Sequence, residues 1–352
     1  MNRRLEKLRQ KLEENQLEAI LVSQTENRRY LSGFTGSAGL LLVSKTRAIL
    51  ATDFRYTEQA QAQAPDFDIV RIEGEPQKWF PDLISSAGAK KIGFEANDIS
   101  FSTYRKLVAA EGEKELVPTE ELVESLRMMK DEKELEFIIR AVELAEAALE
   151  QVLPRISPGK TEREVAWQIE KSLRERGSES VPFELIVASG PNSALPHARP
   201  TDRPLLPGEP VVIDVGARWE GYTSDITRTI ILGNDDSAFA RIYDLVLGAQ
   251  LTAIATIAAG MSGEQADALA RTVIEQGGYG QAFGHGLGHG VGLATHELPR
   301  LGRGSSTVLS DGMVFTIEPG IYIAGWGGVR IEDTVVMERG KVRVLSQTKK
   351  VR

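Results

Sequence analysis

No cysteine occurs in the 352 residues, so disulfides, thiolate nucleophiles and Cys-ligated zinc are excluded at once. Positive charge is not in excess: 42 Lys+Arg stand against 50 Asp+Glu, a net charge of -8, which offers no basic footprint for nucleic acid. There is no continuous run of 18 apolar residues, and the opening MNRRLEKLRQKLEEN is too charged for a secretory apolar segment. These absences predict a soluble cytoplasmic protein with neither membrane nor nucleic acid as partner. Histidine is scarce, with 4 in the chain, all in its C-terminal half. Three of them, His285, His289 and His296, fall within Gly284–Leu298, GHGLGHGVGLATHEL. Imidazole carries protons near neutral pH and binds metals readily, so this confinement points to a chemical site.

The length makes two domains the default expectation. Short strand-like runs such as AILV from Ala19 and LLLVS from Leu40, alternating with helical pieces and turns, predict an N-terminal α/β domain over residues 1–125. Residues 126–352 form the second domain. Leu135, Ile138, Ile139, Val142 and Ala145 lie at helical spacing in a segment running from about Asp131 to Leu153, and Pro158-Gly159 ends it. Thr161 with Glu164, and Ser262 with Gln265, have the spacing of capping boxes and open two further helices. Strand pairs follow the helices: Pro210–Ala217 with Tyr222–Leu232, then Met313–Ile323 with Val329–Met337. Helices followed by antiparallel strands, twice over, predict an α+β domain of two similar halves.

Both strand pairs carry carboxylates in apolar surroundings. A tight turn over Arg218–Gly221 would set Asp214 directly opposite Asp225, where like charges are destabilising unless neutralised. A turn centred on Gly325 would set Glu318 opposite Glu332, although Pro319 interrupts the ladder there. Asp333 would then point to the other face. Four inward carboxylates with a histidine make an oxygen-rich set suited to two divalent metals sharing bridging carboxylates, with manganese favoured and cobalt, iron or zinc possible. Arg330, two residues before Glu332, would share its face and orient carboxylates. Other chemistries fail on the residues themselves: the chain has no GxGxxG in register, no GKS/T, no HExxH and no GxSxG.

Five segments in order, SGPNSALPHA from Ser189, IDVGARWEGYTSDITRTI from Ile213, the Gly284–Leu298 segment, TIEPGIYIA from Thr316 and GVRIEDT from Gly328, resemble the Xaa-Pro peptidases, aminopeptidase P and prolidase, of the pita-bread metallopeptidase superfamily. The resemblance implies a pita-bread catalytic domain behind a creatinase-like N-terminal domain. It implies that Asp214, Asp225, His289, Glu318 and Glu332 bind two metals, with Asp225 and Glu332 bridging. His197 and His296 become catalytic histidines, Glu318 also a general base or proton shuttle, and His285 part of the substrate site, with Arg330 and Tyr222 as further candidates there. Creatinase shares the fold without the metal ligands, and this chain does not fit it. In the N-terminal domain, LSGFTGSAGL from Leu31 and ATDFRYTEQAQ from Ala51 also resemble aminopeptidase P, where such a domain shapes the mouth of the site, often a partner subunit's. Arg55 and Tyr56 are candidates on that ground, and a homodimer is expected.

The implied reaction is hydrolysis before proline by a hydroxide held between the two metals. An Xaa-Pro bond lacks the amide N–H by which many peptidases grip a strand, whereas metal-centred attack does not need it. The main expectation is an Xaa-Pro aminopeptidase acting on proline-containing peptides. The alternatives are a dipeptidase, and more remotely a non-catalytic peptide-binding module. The glycines between the histidines are expected to bring backbone close to the metals.

Overall fold

A computed structural model describes residues 2–233 and 237–350, and the chain divides into two compact units, Met1–Arg127 and Met128–Arg352. The first is built on a six-stranded sheet in the order Asp68–Arg71, Ala48–Thr52, Leu40–Ser44, Ala19–Val22, Lys91–Glu95, Glu115–Thr119. Ala19–Val22 lies inside it, parallel to Lys91–Glu95 and antiparallel to Leu40–Ser44. All four of its residues are buried, which explains a continuous apolar run where a half-exposed strand would alternate.

In the second unit the two capping boxes fall where the sequence places them, Thr161 opening the helix Glu162–Glu175 and Ser262 the helix Gly263–Gln276, and Asp131 opens the helix Glu132–Val152 with a third reciprocal box. Each box satisfies backbone N–H groups that the first helical turn leaves free. The first helix pair is followed by a three-stranded antiparallel sheet in the order Ile226–Ile231, Pro210–Val215, Ile186–Ser189. The helices Ser237–Thr256 and Gly263–Gln276 precede a five-stranded antiparallel sheet in the order Glu297–Leu301, Gly288–Gly290, Val314–Ile317, Asp333–Glu338, Lys341–Val344. Among the described residues, Ser237–Thr256 is the one helix long and apolar enough to cross a membrane. It carries Arg241 and Asp244, however, and buries Phe239, Tyr243, Val246, Ala249 and Ala253 in a core shared with Phe315, Ile317, Ile321 and Val329.

The register of the second strand pair agrees with the sequence. Ile317 pairs Asp333 and Gly320 pairs Arg330, so Glu318 and Glu332 face each other in the gap between two ladders. The first pair is shifted by two. Asp214 pairs Thr227, not Asp225, because the turn residues are Glu220 and Gly221, both at positive φ (49° and 79°), with Trp219 pairing Tyr222. Two left-handed central residues make the tight hairpin turn that matches strand twist, and glycine at the second of them moves the turn one residue along the chain. A shift of two preserves the face, so Asp214 and Asp225 still point the same way, as diagonal neighbours.

The halves meet where Asp225–Thr229 runs antiparallel beside Arg330–Thr334. Glu332 N donates to Thr227 O, Thr229 Oγ1 donates to Arg330 O, and Thr334 Oγ1 donates to Asp225 O at 2.7 Å. This seam brings one carboxylate pair onto the other.

Candidate metal centre

Asp214, Asp225, His285, His289, His296, Glu318, Arg330, Glu332 and His197 all line one cavity of about 460 Å³. Its floor is the seam between the halves. Asp225, His289 and Glu332 each offer a ligand atom there, all within 4.8 Å of one another. His289 Nδ1 lies 3.1 Å from Gly290 O, a bond that places the ring proton on Nδ1 and leaves the Nε2 lone pair for the cavity. That nitrogen sits 3.6 Å from Asp225 Oδ2 and 3.3 Å from Glu318 Oε1. A lone pair facing two carboxylates is repulsive unless a cation lies between them.

Two carboxylate oxygens make the same point. Asp214 Oδ1 and Glu332 Oε1 are buried with no hydrogen-bond partner among the described residues. Their sister oxygens are held: Asp214 Oδ2 accepts from Arg330 Nη2 at 2.6 Å, and Glu332 Oε2 from Thr227 Oγ1 at 2.6 Å. Each carboxylate is thus fixed in rotation with one free oxygen. Since native structures rarely leave buried acceptors unpaired, the residues present fit a bound divalent cation.

The electrostatics agree. Burial pushes the Asp225 and Glu332 carboxyls well above the ordinary range, and repulsion within the cluster adds to it. Burial raises Glu318 too, although His285, Arg330 and Thr316 pull it down. Burial lowers His285, His289 and His296, which keeps them neutral at pH 7. Raised folded-state pKa values mean that the metal-free protein loses stability as pH rises through the ordinary carboxyl range, while below that range the loss is absent. Melting of the metal-free protein is therefore expected to fall more between pH 5 and pH 7 than in Glu332→Gln, and divalent metal should suppress the fall in the parent. Equal pH dependence in the two proteins would contradict this.

Several expectations change in the structure. Tyr222 does not line the cavity: three residues from Asp225 it alternates to the opposite face, where its hydroxyl donates to Glu134 Oε1 at 2.7 Å. Arg330 is less a substrate contact than an orienting group, because protein acceptors take its donors: Asp214 Oδ2, Thr227 Oγ1, Pro196 O and the Tyr322 hydroxyl. Both ring nitrogens of His285 are engaged, Nδ1 with Gly286 O and Nε2 with Tyr322 Oη at 2.9 Å. With the ring proton on Nδ1, a directed chain runs from Arg330 through Tyr322 to His285. Arg55 and Tyr56 belong to the first unit, where Arg55 pairs with Asp53 and the Tyr56 hydroxyl with Ser37 Oγ. The glycines beside His289 serve neighbouring strands. A Cβ at Gly288 would lie 2.0 Å from Thr316 O, and one at Gly290 2.0 Å from Leu298 O. His296 packs its ring 4.1 Å from that of His289, and the next residue, Glu297, forms a buried 2.7 Å ion pair with Lys130.

Sequence reasoning does not reach Thr227, Thr316 and Tyr322. Thr316 Oγ1 accepts from His289 N and donates to Glu318 Oε1 at 2.9 Å, so it places both side chains. The signal was available: Thr316, Glu318 and Tyr322 alternate on one face, as do Asp225 and Thr227.

The model of metallopeptidase family M24 matches residues 136–339, and that of the creatinase/prolidase N-terminal domain matches residues 4–129. An Xaa-Pro dipeptidase structure from Bacillus anthracis superposes with a TM-score of 0.96 at 42% identity, covering 99% of this chain and 98% of that one. The Xaa-Pro dipeptidase of Pyrococcus furiosus is 37% identical over 352 residues, 99% of each chain. An X-Pro aminopeptidase structure from Thermotoga maritima gives a TM-score of 0.88 at 36% identity, covering 97% of this chain and 99% of that one.

Proposed function

Because the chain belongs to metallopeptidase family M24, with a creatinase/prolidase N-terminal domain, we propose that it is a metal-dependent Xaa-Pro dipeptidase, a prolidase, cleaving the bond before proline in dipeptides. The observation that carries the peptidase assignment is the convergence of four carboxylates and the His289 Nε2 lone pair on one cavity, with two buried carboxylate oxygens unpaired. The choice of dipeptidase over the aminopeptidase expected from sequence rests on similarity to proteins named as Xaa-Pro dipeptidases along nearly their full length.

Asp214, Asp225, His289, Glu318 and Glu332 would hold the metals, and their oxygen-rich set favours manganese. When bound, divalent cations supply Lewis acidity toward a carbonyl oxygen and toward water. The protein does the rest. Arg330 and Thr227 each fix one oxygen of a ligand carboxylate, leaving the other for the cation. Glu318, its Oε1 held by Thr316, is the proton acceptor best placed for general base work. Neutral His296 has N–H to offer a developing oxyanion, and His197, exposed at the wall, positions the substrate.

Hydrolysis of Xaa-Pro should be compared with that of Xaa-Pro-Xaa, in manganese-loaded protein. A dipeptidase is expected to prefer the dipeptide by about tenfold or more in kcat/KM. Equal or faster release of the first residue from the tripeptide would return the protein to the aminopeptidase class.

A further inference from the structure

Behind the metal centre, on the face away from the cavity, lies a second buried polar cluster. Arg228 and Asp333 are both buried and their side chains meet at 2.8 Å. Arg228 Nη1 also donates to Glu332 O at 2.5 Å and Thr227 O at 2.9 Å, so one guanidinium grips the backbone of the carboxylate and of the threonine that holds it. Asp333 accepts from Gln250 Nε2, Ser346 Oγ and Lys350 Nζ as well. The carbonyl of Thr348 accepts from Nε and Nη2 of Arg228. Three of these partners thus come from the last few residues of the chain. Those residues are fastened elsewhere too: Glu146 on the Glu132–Val152 helix accepts from the backbone N–H groups of Gln347 and Thr348 and from the Thr348 hydroxyl.

We propose that Arg228 and Asp333, latched by the segment Ser346–Lys350, form a positioning network for Glu332, so that the end of the chain sets the metal affinity of the site from behind. Successive strand residues point to opposite faces, so Glu332 enters the cavity while Asp333 enters the cluster. The same peptide unit therefore carries a ligand on one side and an anchored carboxylate on the other. Without Thr348 and Lys350, two Arg228 N–H groups lose their acceptor and Asp333 loses one of its two cations. The guanidinium then re-centres on Asp333, and its hold on Glu332 O and Thr227 O weakens. Groups that orient ligands from outside the coordination sphere typically alter metal affinity by about 10- to 100-fold.

This inference rests on the metallopeptidase reading, and titration calorimetry of the metal-stripped full chain with Mn2+ separates the two. A chain ending at Leu345 is expected to bind Mn2+ about tenfold or more weakly than the full chain. Lys350→Met and Glu146→Ala should each weaken it several-fold, and Arg343→Ala, whose partner is the exposed Glu338, should not. A purely structural tail would lower the melting temperature and leave the Mn2+ dissociation constant where it was. If the shortened chain fails to fold, the two point variants decide: affinities within twofold of the parent in both would overturn the proposal. If the full chain binds no Mn2+, the metallopeptidase reading falls and this network has no ligand to position.

Discussion

Replacing His289 by alanine is expected to abolish metal retention and hydrolysis together. The imidazole is the one nitrogen donor in an otherwise oxygen set, and its Nε2 faces Asp225 Oδ2 and Glu318 Oε1 across the gap in which a cation fits. Its removal leaves Asp225, Glu318 and Glu332 with the burial that already raises their carboxyls, to which repulsion adds at Asp225 and Glu332, and with one neutral donor fewer to share a cation. Lewis acidity at such a site contributes several kcal/mol to transition-state stabilisation, so kcat/KM on a proline dipeptide should fall by roughly 10³-fold or more. Metal analysis of the purified variant is the decisive measurement. Two metals per chain at parental affinity would show the ligand assignment to be wrong, whatever the activity. The variant should also be less stable at pH 7 than at pH 5 by a larger margin than the metal-loaded parent, because the carboxylates are no longer neutralised.

The second large effect separates chemistry from binding. His296→Ala should keep its metal and lose turnover, with kcat down by about 10²- to 10⁴-fold and KM little changed. The ring of His296 lies 4.1 Å from that of His289, close enough to act on a group held at the same centre, while its nitrogens are not needed to close the ligand set. Burial and the neighbouring His289 lower its pKa, so at pH 7 it is a neutral donor. Loss of metal along with turnover would instead make His296 part of what builds the site. Glu297 is buried against Lys130 next door, so circular dichroism must confirm that the loop remains folded.

How much of this was legible in advance varies with the range of the interaction responsible. The helix starts were legible because a capping box is complete within four residues, and the opposition of Glu318 and Glu332 was legible because one glycine turn sets it. The first hairpin was misjudged by two positions, since which two residues of Trp219–Tyr222 take left-handed φ decides the register and small changes of turn are nearly equal in cost. Tyr222, a candidate for the substrate site, is sent by strand alternation to the opposite face, where it meets Glu134, 88 residues away. Arg330 was placed on the correct face, but its partners, Asp214 and Pro196, are more than a hundred residues away. The preference for an aminopeptidase over a dipeptidase depended on how the cavity treats chain beyond proline, which no local motif encodes.

The sequence by itself determined the elements, their capping, the apolar faces and the set of residue types able to bind a cation, because each depends on neighbours a few positions apart. Only the tertiary structure decided that Thr227 clamps Glu332, that Arg330 turns Asp214, and that the last residues of the chain brace the site from behind. Those contacts join segments 105, 116 and 120 residues apart. They exist because two antiparallel hairpins meet along one seam, and strand edges with unused N–H, C=O and hydroxyl groups pair only when both halves have folded.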